Sequence, residues 1–356
     1  DEHWCSLTVT DAADWKDCMT AEYAGNVYDL VFAGVARYPG NANGALRRYA
    51  PIEERGFKKF SAMVPGGYYQ DGRDVYNRHW WVYLPETVDT AKPYPVVFVF
   101  HGAGGSADEI ADRTGWGDLA QKYGFMIICP MASVPNRVRH VTNIVTNEMF
   151  RAMWNTGAAE PQRPNDMQFV DFLYNWLTEN YNIDRSRVYA SGQSSGGMMS
   201  WACASYRPDL FTATAPVSAK DINFEGETLP FVDGSIIPVM ANLGLLDNAF
   251  KGGFGTPSAQ HLVERWHDAF RLKENWDSYT YNDGGKHCSY QQGLFTNYIY
   301  HTNSGVPILR CVETATKTHA VWPSECEMAW CEFLSHFTKD PDTKELYYDG
   351  EKVSLG

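Results

Sequence analysis

The residues best equipped for chemistry are Gly192-Gln193-Ser194-Ser195-Gly196-Gly197, a G-x-S-x-G run. A serine hydroxyl is a weak nucleophile until a neighbouring base takes its proton, so its Oγ must stand clear of its own backbone. A sharp strand-to-helix turn achieves this, with glycines on both sides letting other backbone pass close. Only Ser194 has glycine two residues before and two after it, which favours Ser194 over Ser195 as nucleophile. Ser195 then offers its backbone N–H at a helix start, where partial positive charge favours an oxyanion. The plain alternative is a glycine-rich turn in which Ser194 merely caps the following helix.

Acyl transfer through a serine needs a second oxyanion donor, a base and an acid. His101-Gly102-Ala103-Gly104-Gly105 follows the apolar run Val96–Phe100 and suits the donor loop, with the Ala103 amide first choice and Gly104 second. His101 ends a buried strand ahead of the serine and reads as structural. Asp247, just past the run Ile236–Ala241, is placed to hold an imidazole in one tautomer, with Asp221 and Asp233 as rivals. Among the downstream histidines, His261 and His267 fall on an amphipathic helix and His336 lies in the last helix. His287 sits in a polar glycine loop and His301 ends a strand. His319 lies between the last strand and the last helix, on the sheet edge that carries the serine, and is the candidate base. A solvent-exposed loop histidine is the ordinary alternative.

These residues need a sheet to bring them together. His79–Leu84, Val96–Phe100, Phe125–Cys129, Arg187–Ala190, Phe211–Val217, Ile236–Ala241, Asn297–His301 and Ile308–Glu313 read as strands. Ser106–Lys122, Ser195–Ala204, Ala259–Leu272 and Cys326–Phe337 read as helices, as does the segment capped by Asn165-Asp166. Strands alternating with helices predict an α/β fold, a mostly parallel sheet with helices on both faces. Residues 1–60 read as an irregular N-terminal extension packed on the core, 61–340 as the catalytic domain and 341–356 as a C-terminal tail.

Acidic residues number 43 against 30 basic ones, a net charge of −13, which disfavours nucleic acid and anionic membrane surfaces as partners. No apolar run approaches the roughly 20 residues of a membrane helix. The start Asp1-Glu2-His3-Trp4-Cys5 and eight cysteines favour a secreted protein, extracellular or periplasmic. Cys5 with Cys18 and Cys326 with Cys331 are plausible local bridges, while Cys129 and Cys203 sit in apolar runs as candidate buried thiols. No cysteine spacing suggests zinc, and the chemistry proposed for the serine requires neither metal nor organic cofactor. Trp154, Phe250 and Trp322 lie near the loops of the expected cleft and are candidate aromatic platforms for substrate, although tryptophan and phenylalanine more often belong to the core.

With these residues assembled, the chain resembles the α/β-hydrolase superfamily, and within it the polyhydroxybutyrate-depolymerase and feruloyl-esterase group of secreted esterases. The resemblance is carried by Asn182-Ile183-Asp184-Arg185-Ser186-Arg187-Val188-Tyr189-Ala190-Ser191 running into the Ser194 motif, by the helix beginning Asn165-Asp166, and by His101-Gly102. It covers roughly Asn77 to Phe337. It implies Ser194, Asp247 and His319 as nucleophile, acid and base, with Ala103 and Ser195 as oxyanion donors. Two loops depart from the group: Thr318 stands where glycine is usual with Trp322-Pro323 one residue late, and the Asp247 loop lacks a His-Gly opening. The implied substrate is an ester, polymeric in the case of a plant-wall feruloyl or acetyl ester or a polyester. A serine peptidase of the same superfamily and a non-catalytic hydrolase-like binding protein are the alternatives.

Overall fold

Strands and helices alternate along the chain as the apolar pattern demands. The computed structural model describes residues 20–23, 26–29, 52–66, 75–132, 153–156, 165–219, 237–249, 252–273 and 289–354. A hairpin, β1 (Thr20–Tyr23) and β2 (Asn26–Asp29), comes first. Then follow β3 (Lys58–Pro65), β4 (Val75–Tyr83), β5 (Tyr94–Phe100), α1 (Ala107–Arg113), α2 (Trp116–Tyr123) and β6 (Met126–Pro130). The middle of the chain supplies α3 (Asp166–Asn180), β7 (Ile183–Gln193), α4 (Ser195–Tyr206), β8 (Ala213–Val217), β9 (Val239–Gly244) and α5 (Pro257–Phe270). The last part supplies β10 (Ser289–Gln292), β11 (Phe295–His301), β12 (Pro307–Thr314) and α6 (Pro323–Glu332). It closes with the short strands β13 (Phe337–Lys339), β14 (Leu346–Tyr348) and β15 (Glu351–Lys352).

Among the described residues ten strands form one sheet in the order β10-β11-β12-β9-β8-β7-β5-β6-β4-β3. From β12 to β6 all neighbours are parallel, and antiparallel strands finish both edges. Parallel strands covered on both faces read as unbroken apolar runs, and every residue of β5, β6, β8 and β9 is buried. Side-chain alternation separates the two faces. Phe98 meets Phe211 and Phe100 meets Trp154 on one side. On the other, Tyr189 of β7 meets Trp330 of α6, whose ring also stacks on Phe125 at 3.9 Å. Helices α4 and α5 join through Trp201 and Trp266. This is the α/β architecture expected from the pattern of elements.

Several boundaries differ from the sequence expectation. The helix expected over 106–122 is two helices, because Gly115 takes φ 73° between them, and the Thr114 hydroxyl donates back to the Ile110 carbonyl. The last helix stops at Glu332, and a 3-10 turn and β13 take up the rest of the expected span. The extension is not irregular throughout, since β1 and β2 pair as a hairpin within it and its end, Lys58–Phe60, enters the main sheet by pairing with β4. The tail contributes β14 and β15 to a three-stranded sheet with β13. That sheet is docked on the core: the Tyr189 hydroxyl donates to the Phe337 carbonyl at 2.7 Å, and buried Lys339 donates to the Pro208 and Phe211 carbonyls. Among the described residues no helix is long and apolar enough to cross a membrane.

Candidate active site

Strand β7 runs straight into α4, and Ser194 makes the turn with φ 58° and ψ −120°, a conformation non-glycine residues rarely hold. The surroundings fix it: the Ser194 N–H donates to Val217 O at 3.0 Å, and the Met198 N–H donates to Ser194 O at 2.9 Å. The flanking glycines are required by close approach. A Cβ on Gly192 would lie 2.6 Å from the Phe100 carbonyl oxygen, and one on Gly196 would press into the Phe100 and His101 carbonyls. The end of β5 therefore passes directly against the start of α4, the contact for which a G-x-S-x-G run is built.

The loop after β9 brings Asp247, and the loop between β12 and α6 brings His319. His319 Nε2 lies 2.8 Å from Ser194 Oγ, and His319 Nδ1 lies 2.9 and 3.1 Å from the two Asp247 carboxylate oxygens. An ionised carboxylate only accepts, so Nδ1 carries the proton and bare Nε2 accepts from the Ser194 hydroxyl. Asp247 is fully buried, whereas the imidazole is partly open to solvent. The Ala249 N–H also donates to Asp247 Oδ1 at 2.8 Å, which helps to hold the buried carboxylate. Three residues separated by as many as 125 positions thus stand in one hydrogen-bonded line. The rivals Asp221 and Asp233, like His287, lie outside the described residues.

The loop after β5 lies against the serine. A Cβ on Gly102 would sit 3.5 Å from Ser194 Cβ, so Ala103 follows immediately on a residue touching the Ser194 turn. Ala103 is half-buried in a turn completed by Gly104 at φ 74°. Ser195 is the first residue of α4, with its amide at the helix start. Its hydroxyl oxygen accepts the Trp154 N–H at 3.3 Å.

His101 is structural in this arrangement. Its Nδ1–H donates to the Gly102 carbonyl at 2.7 Å, and the Ala132 N–H donates to its Nε2 at 3.0 Å. Burial pushes its imidazole from the ordinary 6.5 down to about 4.

The aromatic platforms need correcting. Trp154 is buried, its indole N–H donating to the His101 carbonyl at 2.8 Å and its ring set edge-on to Phe100. It supports the loop after β5 from beneath and cannot present a face to substrate. Trp322 is likewise buried, at the N-terminus of α6, where its backbone N–H donates to Glu325 Oε2 at 3.0 Å. Phe250 lies outside the described residues. The Cys326–Cys331 bridge is also overturned: both are free thiols, and a five-residue spacing on α6 turns the side chains to different faces. Cys129 and Cys203 are fully buried thiols, and Cys5 and Cys18 lie outside the described residues.

Sequence reasoning missed the polar groups beneath His319. Lys317 Nζ reaches Glu325 Oε1 at 2.7 Å and the Asn242 side-chain oxygen at 2.5 Å, and all three residues are buried. Burial pushes the Lys317 ammonium down, while Glu325 and Asp247 act to keep it charged. The Thr314 hydroxyl donates to Glu325 Oε1 at 2.7 Å. A lysine in a threonine-rich loop gives no sequence sign of such burial.

Comparison with known proteins shows the family. The family model named Esterase matches residues 76–280, more than half of the chain. Feruloyl esterase B of Neurospora crassa is 31% identical over 286 residues, covering 79% of this chain and 82% of that protein. Feruloyl esterase B of Thermothelomyces thermophilus is 31% identical over 147 residues, covering 41% of this chain, so the match spans only 46% of that relative. An acetyl xylan esterase structure from Aspergillus awamori superposes with a TM-score of 0.51 at 13% identity, covering 77% of this chain and 98% of that one, a likeness of fold. The chain belongs to the Esterase family and carries the α/β-hydrolase fold.

Proposed function

We propose that this protein hydrolyses carboxylic esters through a covalent acyl-enzyme on Ser194. In this reading His319 takes the Ser194 proton as Oγ attacks the ester carbonyl, and Asp247 steadies the imidazolium that forms. The amides of Ala103 and Ser195 receive the oxyanion, and losing one such donor costs about 10²–10³ in kcat. His319 then protonates the leaving alcohol, accepts a proton from water, and the water cleaves the acyl-enzyme. The observation that carries the proposal is the position of His319, within hydrogen-bond reach of both Ser194 Oγ and Asp247.

The proposed substrates are feruloyl or acetyl esters of plant-wall polysaccharide. The names of the feruloyl esterase relatives support this, as does the acidic charge, which draws the protein poorly to strongly anionic polymers. An extracellular location belongs to the same proposal, because an insoluble wall polymer is met outside the cell. Hydrolysis of p-nitrophenyl acetate by wild type and Ser194→Ala tests the chemistry: near-complete loss in the variant is expected, and equal rates would refute it. Parallel rates on a feruloyl ester, acetylated xylan, a polyhydroxybutyrate film and a peptide amide test the substrate class, with the two wall esters expected to lead.

A further inference from the structure

We infer that Ser218, Lys317 and Glu325 are positioning residues that clamp the loop bearing His319 and hold the imidazole on the line from Asp247 to Ser194 before substrate arrives. The inference rests on the reading of His319 as the general base. Lys317 stands two residues before His319, and Glu325 six residues after it. Their ion pair, 2.7 Å long, therefore closes the base of the loop that projects His319. The same ammonium is tied to Asn242 of β9, and the Lys317 carbonyl accepts the Leu246 N–H at 3.0 Å. Leu246 directly precedes Asp247, so one lysine fixes the acid loop and the base loop to each other.

The second fastening comes from the nucleophile's side. Ser218 follows β8 with φ 48°, and its hydroxyl donates to the Ala320 carbonyl at 2.8 Å. Its N–H donates to Asn242 O at 2.7 Å, while the preceding residue, Val217, accepts the Ser194 N–H. Ser218 thus joins the residue after His319 to the strand end that holds the nucleophile turn. A left-handed conformation in a fully buried serine needs support from its contacts, and these are the contacts the structure supplies. Buried ion pairs are poor sources of stability compared with apolar residues of similar volume. A Lys–Glu pair placed beneath a catalytic loop therefore speaks for geometry more than for folding.

The test compares wild type, Lys317→Met/Glu325→Leu, Ser218→Ala and Ser194→Ala, using p-nitrophenyl acetate kinetics and the proton NMR resonance of the His319 Nδ1–H. For the double variant kcat is expected to fall about 10²-fold, the cost of a misplacement near 1 Å, with KM unchanged and the Nδ1–H resonance broadened or lost. Ser218→Ala is expected to lower kcat by a smaller factor with KM unchanged, and it carries the test if the double variant does not fold. Wild-type kcat and an unaltered resonance in folded variants would overturn the clamp. Activity retained in Ser194→Ala would instead overturn the reading on which the clamp rests.

Discussion

At the scale of single residues, Asp247 is where orientation separates from packing. An asparagine there has the same shape but presents an N–H toward Nδ1, which favours the tautomer that leaves Nε2 unable to accept the Ser194 proton. Asp247→Asn is expected to keep the fold and lower kcat by about 10⁴. A fall of less than about tenfold in the steady-state rate would contradict the role assigned to it. His101 makes a prediction about pH. Its folded value of about 4 lies below the unfolded 6.5, so its contribution to stability is present above pH 6.5 and is lost as pH falls toward 4. A proton added at Nε2 would face the Ala132 N–H head-on. Melting temperatures measured from pH 7 to 4 are expected to fall less steeply in His101→Asn than in wild type, and parallel curves would refute the assignment.

At the scale of elements, the turn from β7 into α4 depends on backbone contact that side chains cannot relieve. Gly196→Ala would drive a methyl into the Phe100 and His101 carbonyls. Overpacking of this kind costs about 1–3 kcal/mol, so the melting temperature is expected to drop, and an unchanged value would argue against so tight a turn. These elements were largely legible in the sequence. The inner parallel strands announced themselves as apolar runs, and Asn165 caps α3 with its side chain, as its residue type suggests. The line of Ser194, His319 and Asp247 followed from motif, chain order and the ends of strands. What escaped was set by tertiary contact. Trp154 and Trp322 look like any loop aromatic until the packing around them is known, and Lys317 looks like any loop lysine. Gly115 splits a helix by taking a left-handed conformation at φ 73°, which the apolar pattern from 106 to 122 does not record.

At the scale of the whole molecule, a buried ion pair joins distant segments. Arg78 of β4 meets Asp166 at the start of α3 at 2.6 Å, and the guanidinium lies over the Phe169 ring. The other Asp166 oxygen accepts the Asn155 N–H at 2.7 Å, and Arg78 also donates to the Met131 carbonyl at 3.2 Å. Asp166→Ala would leave a buried guanidinium without its counter-charge, a change that costs about 3–5 kcal/mol. Denaturant unfolding is expected to show that loss, and a change below about 1 kcal/mol would show the pair to be dispensable. The arrangement also places Asn155, and with it Trp154, under the loop that carries Ala103. The whole sheet thus serves to bring loops from distant parts of the chain to one rim. The proposed nucleophile at that rim is Ser194, and the most direct measurement of its role is to find the acyl group itself. Acid-quenching p-nitrophenyl acetate turnover and mapping the peptides by mass spectrometry is predicted to place an acetyl group on Ser194. An acetyl group on Ser195, or turnover with no adduct and full activity in Ser194→Ala, would contradict the account.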